Sequence, residues 1–282
     1  MRPTFLDSRT SIQLTGKAIP GAEDRQRQIA GFDQAIYSRS RVLCIGAGGL
    51  IANIVPTLVR KAIGGVAIYD HDAVETSNLN RQRFYAKDIG KNKAISLVEN
   101  LEPECIAATD LRGYALRFEE AIASGLDLSC DVAVCGVDND LARVAASRYF
   151  RLQRVPVIIT AVSSDGDHGY VFVQEREGSC IGCLFPDIAD NDRHPCPGTP
   201  AIADILQAVG SLAVYAVDTL LMNRDRRWNY RRISLSDGTL DGGSLVPTRP
   251  DCSVCGPAVS EFLLELGSGS KNLGQASDNC RQ

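Results

Sequence analysis

The chain has 282 residues, 44% of them hydrophobic and 23% charged, with a formal net charge of -4. That length buries a full core and accommodates one large domain or two small ones, while the acidic balance offers no overall basic field to nucleic acid or an anionic membrane. Residues 1–15 lack the basic-then-apolar build of a signal peptide, and the longest apolar region, 201–222, carries Asp204, Gln207 and Asp218 and reads as a buried core helix, so the expected location is the cytoplasm.

Residues 1–22 are mixed in character and read as a loose N-terminal arm, followed by a helix from Ala22 to Tyr37 that carries Arg25 and Arg27. Arg41-Val-Leu-Cys-Ile45 is a buried strand by its apolar run. Gly46-Ala-Gly-Gly49 turns the chain into a helix from Leu50 to Ala62, which Gly64-Gly65 ends. Val66 to Asp70 is the next strand, completing a βαβ unit, the sequence form of a parallel sheet. The alternation continues with a helix over 92–101 that stops at Pro103, a strand from Asp131 to Cys135 and a helix over 140–152. Val155–Thr160 and Gly169–Val173 form a hairpin about the turn Ser163–His168. A Pro-rich loop over 185–200 leads to the long apolar helix, and Arg231–Leu235 is a last strand. With no internal repeat, the reading is α/β: one Rossmann-like domain over 23–266, a mixed sheet with helices on both faces and a cysteine cluster at one end. The tail, 267–282, is Gly, Ser, Asn and Gln and is expected to be disordered.

A glycine-rich turn between strand and helix presents backbone N–H groups and the positive helix end to a phosphate. Gly46, Gly48 and Gly49 make such a turn, although Ile51 stands where the dinucleotide fingerprint has its third glycine. On the turn alone a dinucleotide and a nucleoside triphosphate are equally served, and Asp70 suits a ribose hydroxyl in either case. The residues after Asp70 separate the two ligands. Asn78-Leu-Asn-Arg81-Gln82 lies just past the ribose position and Lys93 begins the next helix. A dehydrogenase needs no such cations, whereas attack on a triphosphate builds up negative charge that they would stabilise. Asp138, in Cys135-Gly-Val-Asp-Asn139, falls beyond a strand's carboxyl end, where open α/β sheets bind ligands. Its carboxylate suits Mg²⁺, or caps the helix over 140–152, or both.

These pieces together resemble the ThiF/MoeB-type family, whose fold is shared by the adenylation domains of ubiquitin-activating enzymes. The resemblance rests on Arg27-Gln-Ile29, Gly46-Ala-Gly-Gly49, Asp70-x-Asp72, Ser77-Asn-Leu-Asn-Arg81-Gln82, Gly90-x-x-Lys93 and Asp138-Asn139, in family order across about 25–255. It implies ATP held by Gly46, Gly48, Gly49, Asp70, Asp72, Asn78, Arg81, Gln82, Lys93 and Asn139, with Asp138 toward Mg²⁺. It further implies a homodimer in which Arg27 reaches the partner's nucleotide. Ile51 is expected to crowd the glycine turn slightly without abolishing binding.

Ten cysteines argue for metal or thiol chemistry if the chain is intracellular. Cys44, Cys130 and Cys135 fall in or beside apolar runs and read as small buried hydrophobes. Cys180-x-x-Cys183 and Cys252-x-x-Cys255 form two dithiol knuckles, a four-thiolate set suited to structural Zn²⁺ with no open position for catalysis. Cys196 stands apart, flanked by Pro195 and Pro197, which exclude helix. Arg193 and His194 beside it favour the thiolate.

The expected activity is ATP-dependent adenylation of the C-terminal carboxylate of a ubiquitin-like protein ending in Gly, with transfer to Cys196 as a thioester. Arg81, Lys93 and Arg27 would stabilise charge. A conjugating enzyme or a sulfur donor would be the further partner. Adenylation of a small-molecule or peptide carboxylate is the rival within the same chemistry, and an NAD-dependent oxidoreductase or an inactive nucleotide-binding scaffold the rivals outside it.

Overall fold

The structure, a computed structural model, describes residues 10–189, 200–237 and 242–255. Its frame is one nine-stranded sheet. In chain order the elements are β1 (Ser11–Thr15), α1 (Gln34–Arg39), β2 (Arg41–Ile45), α2 (Gly49–Arg60), β3 (Gly65–Tyr69), α3 (Lys93–Leu101), β4 (Asp110–Tyr114), α4 (Phe118–Ala123) and β5 (Val132–Cys135). Then come α5 (Asp140–Leu152), β6 (Val157–Val162), β7 (His168–Gln174), α6 (Ile181–Leu184), α7 (Ala203–Leu221), β8 (Tyr230–Ser234) and β9 (Gly242–Ser244).

The strand order is β1-β4-β3-β2-β5-β6-β7-β8-β9. The five central strands, β4 to β6, are parallel, and β1, β7, β8 and β9 run antiparallel at the flanks. From β2 the chain winds outward through β3 and β4, then returns to lay β5 on the other side of β2. That reversal makes a topological switch point between β2 and β5, where the loops after the two strands diverge and leave a crevice.

Helices cover both faces. On one, α2, α3 and α7 close a core around Ile51, Ile54, Leu58, Leu97 and Val209. On the other, α4, α5, α6 and both dithiol knuckles close a second core around Phe118, Phe150, Phe172 and Val254. α7, the one helix among the described residues long and apolar enough to cross a membrane, is packed against α2 and the sheet. Glycines allow that packing. A Cβ at Gly49 would stand 2.7 Å from Leu206 Cδ1, and one at Gly210 3.4 Å from Asn53 Cβ.

The structure departs from the sequence reading in several places. Residues 22–37 do not form one helix: a 3-10 turn at Gln26–Gln28 is followed by Gly31 at φ +76°, and Asp33 caps a new helix by accepting from the amides of Ala35 and Ile36. Part of the expected loose arm is an edge strand, β1, paired antiparallel with β4. α2 ends earlier than expected because Ala62, at φ +61°, takes the left-handed position, and Gly65 already belongs to β3. β4, α4 and β9 had no expected counterpart.

Candidate nucleotide site and four-cysteine cluster

The crevice between β2 and β5 is built from the glycine turn. Gly46 has φ +91°, a left-handed value that an L side chain resists, and its N–H donates to Tyr69 O at 2.8 Å. A Cβ there would stand 3.2 Å from Val137 Cγ1 on the loop after β5, so the turns of β2 and β5 touch. Gly48 is the N-cap of α2, and the direction its Cβ would take is open space. Asn53, one turn into the helix, donates to Gly49 O at 2.7 Å and ties down the first turn.

Ile51 does not crowd the turn, contrary to the sequence expectation. It is buried against Gly136, where a Cβ would stand only 2.9 Å from Ile51 Cγ1. The close approach that a third helix glycine supplies elsewhere is supplied here by a glycine on the facing strand's loop.

Asp70 comes directly after β3 and is buried. Its two oxygens accept from Ala47 N at 2.6 Å and Asp72 N at 2.8 Å, so the carboxylate stitches the glycine turn to the loop after β3. Burial, with the like charge of Asp72, raises its carboxyl above the usual range despite these amides. Asp72 lies between two basic side chains: Lys93 Nζ at 2.9 Å on one oxygen and His71 Nε2 at 3.2 Å on the other. The Lys93 side chain is only 13% exposed, against 48% for Asp72. Asn92, which the sequence reading passed over, holds this group together. It caps α3 and donates to Asp70 O at 2.8 Å and Asp72 O at 3.1 Å. An asparagine just before an expected helix start was the signal for it.

Asn78, Arg81 and Gln82 share the segment between β3 and α3, which the Ala73–Asn92 bridge closes at its base. Asn78 is buried and accepts from Glu75 N at 3.0 Å, shaping the turn. Arg81 donates to Ser77 O at 2.6 Å and Asn80 Oδ1 at 2.9 Å, within its own loop. Gln82 Oε1 is buried and has no hydrogen-bond partner among the described residues. On the other side of the crevice Asp138 is exposed. The helix cap is made by its neighbour: Asn139 accepts from Ala142 N at 2.8 Å, so Asp138 is not used there. The open direction at Gly48, the orphaned Gln82 oxygen and the uncommitted Asp138 fit a nucleotide and its Mg²⁺.

Arg27 is elsewhere. It is 52% exposed and pairs with Glu23 at 2.8 Å. Its neighbour Gln26 donates to Lys61 O at 3.0 Å, at the far end of α2 from the glycine turn. Twelve helical residues separate the two ends by about 18 Å. Cys196, Arg193 and His194 lie outside the described residues.

The four knuckle cysteines converge. Sγ–Sγ distances are 3.8 Å for Cys180–Cys183, 3.4 Å for Cys180–Cys252 and 3.7 Å for Cys183–Cys255. All four sulfurs lie within 4.8 Å of one another. A disulfide needs about 2.05 Å, whereas four thiolates about 2.3 Å from Zn²⁺ stand about 3.8 Å apart. The cluster therefore fits a tetrahedral metal. Gly182 lets the knuckles meet, since a Cβ there would stand 2.5 Å from Val254 Cγ2. Burial pushes the Cys180 thiol up; at Cys252 burial also acts upward, but the amides of Cys255 and Val254 together with the thiols of Cys180 and Cys255 hold the thiol below its usual range.

Three comparisons bear on this arrangement. The model of the ThiF family matches residues 23–254. Among curated proteins, the SAMP-activating enzyme E1 of Haloferax volcanii is 29% identical over 237 residues, covering 80% of this chain and 84% of its own. The sulfur carrier protein adenylyltransferase of Thermus thermophilus is 28% identical over 201 residues, covering 69% of this chain and 74% of its own. Among solved structures, the microcin C7 biosynthetic enzyme MccB in complex with N-formylated MccA superposes with a TM-score of 0.64 at 19% identity, over 79% of this chain and 69% of that one. That last likeness is one of fold.

Proposed function

The chain belongs to the ThiF family, and on that premise we propose that it binds ATP at the switch point and adenylates the C-terminal carboxylate of a small ubiquitin-like protein. The observation that carries this reading is the Lys93 ammonium, held 2.9 Å from Asp72 immediately beside the buried Asp70. In an NAD site the acidic residue at that position meets a ribose hydroxyl, which needs no cation beside it. A triphosphate under attack at its α-phosphorus does. The relatives named as activating a modifier or adenylating a sulfur carrier protein support the same acceptor class.

In the proposed reaction the amides of the glycine turn and the positive end of α2 face the phosphates, and Asp70 meets the ribose. The acceptor's carboxylate oxygen forms a bond to the α-phosphorus as the bond to the bridging oxygen breaks, giving acyl-adenylate and pyrophosphate. Lys93 and Arg81 offset the charge that grows on the phosphoryl oxygens. Arg81 leaves its present acceptors, Ser77 O and Asn80, to do so. Asp138 would hold Mg²⁺, which when bound would supply positive charge to the phosphates. Arg27, too far along α2 to serve its own site, would serve that of a second copy of the chain. The Cys196 thiolate would then attack the acyl carbon and release AMP. The four knuckle cysteines would hold Zn²⁺ in a closed, structural site.

The test mixes the protein with ATP, Mg²⁺ and a ubiquitin-fold protein ending in Gly, then traps activated carboxylate with hydroxylamine. The reading expects a hydroxamate at the acceptor's C-terminus. Hydroxamate on short peptides but on no folded acceptor would assign the peptide-adenylating class instead.

A further inference from the structure

The guanidinium of Arg143 on α5 belongs to none of the roles above, yet it lies directly under the loop that carries Asp138. Its side chain is 14% exposed. Nη1 donates to Asp140 Oδ1 at 2.7 Å and Nη2 to Val137 O at 2.9 Å. The two acceptors bracket Asp138 in sequence, so the planar fork ties the backbone before it, at Val137 O, to the Asp140 carboxylate after it. The same Val137 places its Cγ1 against Gly46, 3.2 Å from where a Cβ would be. Nε is buried with no partner among the described residues. A guanidinium in this position holds two acceptors in fixed directions from one planar group.

We propose that Arg143 is a positioning residue that orients Asp138 toward the metal of the bound nucleotide. The inference rests on the nucleotide reading of the crevice. Arg143 touches neither nucleotide nor acceptor, and acts only through the 137–140 loop. A lysine cannot reproduce it, since one ammonium cannot hold Val137 O and Asp140 in fixed directions at once.

The test compares the wild-type chain with Arg143→Gln, Arg143→Lys, Asp138→Asn and the double variant Arg143→Gln/Asp138→Asn. Calorimetry measures ATP binding in Mg²⁺ and in EDTA, a readout independent of turnover. Arg143→Gln should bind ATP in EDTA within about twofold of wild type, yet lose about tenfold or more of the gain that Mg²⁺ gives, the usual scale for an outer-shell partner of a metal ligand. Arg143→Lys should lose nearly as much, and in the Asp138→Asn background the Gln change should cost nothing further. If Arg143→Gln does not fold, Asp140→Ala removes the side-chain acceptor of one arm of the fork and should weaken the Mg²⁺ gain in the same direction. Equal losses with and without Mg²⁺, full rescue by Lys, or losses that multiply with Asp138→Asn would each overturn the proposal and leave Arg143 a structural residue. Failure of the adenylation reading looks different: the Mg²⁺-dependent binding pattern would persist while no acceptor forms an adenylate.

Discussion

Lys93→Met separates charge from packing at the nucleotide site. Methionine keeps most of the aliphatic stem that Lys93 buries and removes only the ammonium. The folding cost is small, because the partner Asp72 is 48% exposed and water screens what the pair contributes. Exposed pairs are worth about 1 kcal/mol or less, which for a chain of this size class lowers Tm by no more than about 4 °C. The catalytic cost is large. The ammonium is shielded, at 13% exposure, on the side of the crevice where the proposed reading puts the phosphates. Removing one preorganised donor from a developing charge costs about 3–4 kcal/mol, or a hundredfold and more in rate. The two aspartates left behind, Asp70 and Asp72, would repel the triphosphate and add to the loss. The assay is pyrophosphate exchange into ATP, read as kcat and KM beside a thermal melt. A variant that melts within a few degrees of wild type and exchanges at a near-normal rate would refute the assignment of Lys93 to the phosphates.

Arg81→Ala should likewise cut exchange by about a hundredfold, and near-normal rates would remove Arg81 from the mechanism. Gly48→Ala tests the cradle: its Cβ would meet nothing in the free protein, so Tm should hold while ATP affinity falls about tenfold or more as the methyl enters the phosphate path; unchanged affinity in calorimetry would place the phosphates elsewhere. Freshly purified protein should carry close to one Zn²⁺ per chain by elemental analysis, and Cys252→Ser should lower Tm sharply with little change in the exchange rate of the protein that remains folded; metal-free protein of full stability would dismiss the cluster as a zinc site. Cys196→Ala should leave exchange intact yet abolish any reducing-agent-sensitive adduct with the acceptor, and persistence of that adduct would put the nucleophile elsewhere.

The elements legible in the sequence are those whose signal is local. β2, β3 and β5 are buried on both faces by the parallel arrangement and so read as unbroken apolar runs. The knuckles were legible for the same reason: two cysteines three apart set their own geometry, and only the meeting of the pairs, through Gly182 and Val254, is tertiary. β4 was not legible, because Asp-Leu-Arg-Gly-Tyr buries one face against α3 and leaves Asp110 and Arg112 to pair on the other. The helix expected over 22–37 has the right residues for one, but Gly31 and the Asp33 cap divide it. Asp138 and Asn139 are adjacent and both suit a cap, so only coordinates could give the cap to Asn139. The pairing of Ile51 with Gly136 acts through a contact between segments, for which a single chain read in order carries no spacing signal.

The adenylation claim itself is tested most directly by isotope exchange: labelled pyrophosphate, ATP, Mg²⁺ and the wild-type protein, with and without a ubiquitin-fold acceptor ending in Gly. Label should enter ATP only when acceptor and Mg²⁺ are both present, and should be lost when the acceptor's terminal Gly is removed or its carboxylate amidated. ATP that binds with measurable affinity, yet takes up no label with any carboxylate-bearing acceptor, protein or peptide, would contradict it.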